Sequence, residues 1–180
     1  MDQNPYEVGN NLDPPDAGPQ TETFEGSVRS VQIVAGALMA GVLVFFGVVL
    51  VSTGGDIFGT QTPEIVGILG VLFGFIAIVN QFIIPKVIAG AQLRQIASDG
   101  FNERDEVAKL NLISGVYRGQ LIVGLALLEG AAFLNLVGLM LERSIVSLAI
   151  VIVLLGSMAL KFPTRDKVSF WVQDKLRELS

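Results

Sequence analysis

GQLIVGLALLEGAAFLNLVGLML, Gly119 to Leu141, is an apolar run of membrane-spanning length that carries one acid, Glu129, almost at its middle. About 20 apolar residues rising 1.5 Å each cross a hydrocarbon core of about 30 Å. Charging a side chain at the bilayer centre costs roughly 2.5 to 3.5 kcal/mol on insertion scales, so such an acid is a candidate functional residue by default.

The whole chain has the same character. Its 180 residues are 51% hydrophobic and 16% charged, with a mean hydropathy of +0.61. Soluble domains carry about 25% charged residues, so this composition implies a polytopic membrane protein. With no Cys and no His, the chain has no disulfides, no thiol or histidine chemistry, and no metal sites built from those ligands. No cofactor or metal is expected. The net charge of -5 comes mostly from an acidic N-terminal tail, and no concentrated basic patch calls for nucleic acid.

Four spans are predicted, at about 31–51, 64–84, 119–141 and 144–160, within an all-α membrane domain over 28–162. Residues 1–27, with Pro5, Pro14, Pro15 and Pro19 among acids and glycines, read as a disordered tail. The tail has no basic region ahead of an apolar run, which argues against a cleaved signal peptide. Pro63 suits the first position of the second span, and Glu64 suits its first turn. Within that span Gly67, Gly70 and Gly74 form a small-residue stripe, the last two as GxxxG. That stripe suits packing inside the chain's own bundle, and a dimerisation face remains the other reading.

Pro85 interrupts the second span, yet Ile88, Ala91 and Ile96 keep helical spacing beyond it. Residues 85–118 are therefore expected to form a long cytoplasmic helical hairpin with Phe101 at its tip. Ser98, Asp99, Gly100 and Asn102 would supply the stop, the turn and the cap. After the last span, 163–180 reads as an amphipathic helix with Val168, Trp171, Val172, Leu176 and Leu179 on one face. Trp171 suits a helix lying on the membrane interface. Packing against the hairpin is the equal alternative.

Basic residues set the orientation. With the N-terminus inside, Arg143 is the only external Lys or Arg, which places both termini in the cytoplasm and the chain in the inner (cytoplasmic) membrane.

On a helical wheel of the third span, Gly124, Ala131, Asn135 and Gly138 gather on one side, and Glu129 points about 140° or more away from most of them. The small side with Asn135 is expected to meet the closest neighbouring helix. Arg118 is about 16 Å from Glu129 along the axis, too far to pair with it. With no counter-charge at its depth, Glu129 is expected to be mostly protonated at neutral pH. Asn80, Gln81 and Asn135 are its candidate polar companions for ion binding, and Ser147 or Ser157 could take its hydrogen bond in a purely structural role.

Ala126 to Leu141, ALLEGAAFLNLVGLML, resembles the carboxyl-bearing second helix of the rotary ATP synthase c subunit. The Gly-bearing span and polar hairpin turn before it are similar to that subunit's order of parts. The resemblance implies reversible binding of a proton or sodium ion by Glu129. The alternating glycines of the family's first helix are absent from Glu64 to Ile84, and two further spans are added. The NPYEVGNN opening also resembles the starts of small bacterial four-span membrane proteins, and that resemblance implies no activity.

The spans contain no paired acids and no recognisable nucleophile with its base, so an enzyme is not expected. The chain is expected to be a structural or accessory subunit of a membrane assembly, with the lipid bilayer, a second copy or other membrane subunits as partners. The alternative is a proton- or cation-coupled component acting through Glu129.

Overall fold

The computed structural model describes residues 19–55, 65–98 and 100–179. Apolar residues at helical spacing build five α-helices: α1 (Pro19–Ser52), α2 (Ile65–Ser98), α3 (Glu106–Glu142), α4 (Ile145–Leu160) and α5 (Arg165–Leu179). No strand occurs among the described residues. Three helices are long and apolar enough to cross a membrane: α2, α3 and the Glu25–Ser52 part of α1. A fourth candidate arises by length and composition when α4 and α5, which meet at 64°, are counted together. Alone, α4 has 16 residues, somewhat short of the usual 20 or so.

α3 is the hub and packs against each of the other four helices, with its broadest interface on α2. α1 and α2 lie on different sides of it, each touching α3 far more than the other. The main core gathers Val42 and Val49 of α1, Leu125, Leu128 and Leu136 of α3, and Leu154 and Met158 of α4. A second core joins Val28, Phe101, Ile113, Tyr117, Val168 and Val172 at the end of the molecule where α1 begins.

Two local expectations change. α1 starts at Pro19, inside the stretch expected to be disordered. Proline suits a first helical turn, and an acid such as Glu25 suits the N-terminal part of a helix. Tertiary contacts then hold this extension: Arg118 Nη2 donates to Ser27 Oγ at 2.8 Å, and Val28 is buried. Asp105, and not Asn102, caps α3, its side chain accepting the Ala108 N–H at 3.3 Å. Gly100 supplies the turn itself, at φ 73°, in the left-handed region where a missing Cβ removes the steric cost. The NPY opening, Asp56, Pro63, Glu64 and Asp99 lie outside the described residues.

α2 is continuous through Pro85. At 1.5 Å per residue, α2 and α3 are each roughly 50 to 55 Å long, well beyond a 30 Å hydrocarbon core. The ends of α2 and α3 on either side of Gly100 form a hairpin whose apolar side the second core covers. α5 lies there, with Val168 and Val172 at 3% and 1% exposure against α3. Trp171 is half-buried and packs on Tyr117 at 5.3 Å between ring centroids. From α1, Gln32 Nε2 ties down the α4–α5 corner by donating to Pro163 O at 2.9 Å.

Candidate functional site

Polar side chains in this bundle serve two different surfaces of α3. Toward α2 the helices approach closely because Gly67, Gly70 and Gly74 are buried there without side chains. A Cβ on Gly70 would stand 2.8 Å from Asn135 Oδ1. Asn135, fully buried, uses the space to donate through Nδ2 to Gly70 O and to Ala131 O, each at 2.8 Å. Gly138 lies over Gly67, where a Cβ would be 3.7 Å from the Gly67 Cα.

Two further side chains reach the α2 backbone at its weak points. The first turn of a helix has N–H groups without intrahelical acceptors. Glu142, at the end of α3 and 5% exposed, accepts from Val66 N and Gly67 N at 2.8 Å each. Its carboxyl therefore caps a helix from another part of the chain, at the positive end of that helix's dipole. In the middle of the helix, Pro85 has no N–H to give to the residue four before it, which leaves Gln81 O without its helical donor. Lys161, just past α4, supplies the missing bond through Nζ at 2.8 Å, with Nζ 5.1 Å from the centroid of the Phe82 ring.

Glu129 lies on the other surface. It is half-buried in the seam between α1 and α3, beside Gly41, where a Cβ would meet Glu129 Oε1 at 3.4 Å and Phe133 Cζ at 3.9 Å. The Phe133 ring meets Phe45 of α1 edge to face at 5.3 Å. Among the described residues Glu129 has no hydrogen bond and no ion pair. Neither candidate serine serves it: Ser147 sits against Gly138, and the Ser157 hydroxyl turns back to Val153 O.

The four residues expected to form an ion site are thus not gathered into one. Asn135 is committed to α2, Gln81 is buried beside Lys161, Asn80 is half-buried elsewhere on α2, and Glu129 faces α1. Gly124 approaches Pro85, and Ala131 is buried. Glu142 and Lys161 do not stand out in the sequence. Both stand just outside apolar runs, and the available signals were the antiparallel order of α2 and α3 and the carbonyl that any mid-helix proline frees. What Glu129 offers chemically is a carboxyl at a helix seam, able to donate or accept one hydrogen bond or to hold a proton. No family model, characterised protein or solved structure matches the chain.

Proposed function

We propose that this chain is a non-enzymatic, four-pass integral membrane protein that serves as a structural or accessory subunit of a membrane assembly, with Glu129 as its contact to another helix. Both termini and the α2–α3 hairpin face the cytoplasm. Arg143 is the only Lys or Arg at the end where α3 meets α4, and every other one belongs to the opposite half of the bundle. α5 rests on the hairpin at the membrane surface.

The carrying observation is the contrast between Glu129 and three other inward polar side chains. Asn135, Glu142 and Lys161 each bond the α2 backbone, whereas Glu129 has no partner among the described residues and lies in a seam open to one side. In hydrocarbon an unsatisfied polar group favours association with any helix that offers it a hydrogen bond. That helix comes from a second copy of this chain or from another subunit. A second reading draws on the same openness: without a counter-charge, Glu129 could bind and release a proton or sodium ion.

One experiment separates the two. The chain and its variants are sized in nanodiscs and assayed for proton and sodium flux in liposomes. In the assembly reading Glu129→Gln, which keeps hydrogen bonding, preserves the oligomer and Glu129→Leu disperses it. In the ion-coupled reading both variants abolish flux and leave size unchanged. Retention of both assembly and flux by Glu129→Leu would sink both readings.

A further inference from the structure

A cavity of about 300 Å³ opens where the middle of α2 around Pro85 and the middle of α3 around Leu121 meet the C-terminal end of α4 and the start of α5. Lys86, Lys161 and Lys167 line it, and no Asp or Glu does. The three lysines come from separate elements, so their meeting around one cavity results from the fold and not from a local run of charge. Burial first, and then the neighbouring Lys86, hold the Lys161 ammonium below its ordinary pKa. Like charges are therefore concentrated in a partly dry place with no acid in the lining. The Gln81 carboxamide, 3% exposed, lines the same cavity and has Oε1 unpartnered among the described residues. Turning that amide presents its NH₂ to an anion. At the rim, Phe82 and Leu160 are 56% and 80% exposed, continuing onto the apolar outer surface.

From this geometry we infer that the cavity binds the headgroup phosphate of an acidic phospholipid, with Lys86, Lys161 and Lys167 around the phosphate and the acyl chains running along Phe82 and Leu160. Basic pockets between helices at the cytoplasmic face suit anionic headgroups. A free phosphate shares the headgroup chemistry but makes no use of the apolar rim. The inference rests on the bilayer placement proposed above and is independent of Glu129.

The test uses the full chain in nanodiscs of phosphatidylcholine doped with phosphatidylglycerol, with lipids retained after detergent extraction counted by native mass spectrometry. Lys161 also holds Gln81 O at 2.8 Å and Lys167 holds Leu160 O at 3.0 Å, so Lys86→Gln alone is the variant that spares the fold, and Lys86→Gln with Lys167→Gln is the stronger one. Wild type should retain phosphatidylglycerol over phosphatidylcholine. At about 1 kcal/mol per lysine, the double variant should lose that preference by roughly thirtyfold with its helicity intact. Lys109→Gln, at the far end of the hairpin, should retain it. Equal retention of the two lipids by wild type, or an unchanged preference in the double variant, overturns the assignment. Displacement of the lipid by millimolar inorganic phosphate overturns the lipid as occupant. Failure of wild type to enter the nanodisc overturns this inference together with the membrane placement, whereas entry without lipid preference leaves the placement standing.

Discussion

Glu142, the last residue of α3, accepts the backbone N–H of Gly67 in the first turn of α2 at 2.8 Å, and its second oxygen takes Val66. A cap is usually local, whereas this one joins residues 75 apart in sequence and ties the far ends of the two longest-paired helices together. Removing it leaves two N–H groups unsatisfied in a largely buried place, at about 1 to 3 kcal/mol for such a group. Glu142→Ala should therefore lower stability by about 2 kcal/mol, measured by denaturant unfolding in mixed micelles. Glu142→Gln, with one carbonyl oxygen, should fall between. A Glu142→Ala protein as stable as wild type would show that the cap contributes nothing.

The glycines of α1 and α2 should answer differently to the same added methyl. At Gly70 a Cβ meets Asn135 Oδ1 at 2.8 Å and Asn135 Cγ at 3.2 Å, so the amide must leave its bond to Gly70 O. Gly70→Ala should cost about 1 to 3 kcal/mol, the usual range for overpacking. At Gly36 nothing lies within 4 Å of the Cβ position, and Gly36→Ala should be neutral or stabilise by up to about 1 kcal/mol through helix propensity. Thermal unfolding of the two variants side by side reads the difference. Equal effects would mean that α2 and α3 are not in contact at Gly70.

Pro85, Gln81 and Lys161 form a compensated defect, which a double-mutant cycle can expose. Lys161→Gln should destabilise by about 1.5 to 3 kcal/mol, the range for a hydrogen bond to a charged group. Pro85→Ala restores an N–H that can bond Gln81 O within α2. In that background Lys161→Gln should cost at least about 1 kcal/mol less, a coupling of the size seen for residues sharing one bond network. Additive effects of the two substitutions would refute the compensation.

The long apolar helices were legible because long apolar runs have few alternatives, and the α3 surface facing α2 followed from the wheel positions of Gly124, Ala131, Asn135 and Gly138. The groups that bridge helices were not legible in the same way. Glu142 and Lys161 look like ordinary boundary residues in one dimension, and only the antiparallel packing brings them to Gly67 and Gln81. Gln81 was read for its side chain, while the group that matters to Lys161 is its main-chain carbonyl. The start of α1 was missed for a related reason: composition around Pro19 favours disorder, and the contacts of Ser27 and Val28 that order it come from α3 and α5. Glu129 stands out in the sequence as an acid inside an apolar run, but its placement against Gly41 depends on which side of α3 receives α1.

α5 carries the only tryptophan of the chain, so its docking has a built-in reporter. Trp171 packs on Tyr117 with the rings tilted by 55°, and Val172, 1% exposed, anchors the same face. Burying a valine contributes about 1.5 to 3 kcal/mol, and an aspartate in its place adds the cost of desolvating a charge. Val172→Asp should release α5 and shift Trp171 emission to the red. The α1–α4 core that surrounds Leu128 and Leu136 contains no residue of α5, so the bundle's own unfolding should remain cooperative. If α5 then moves onto bare lipid, emission returns toward the blue when vesicles are added. An unshifted spectrum in detergent would show that α5 does not rest on α3.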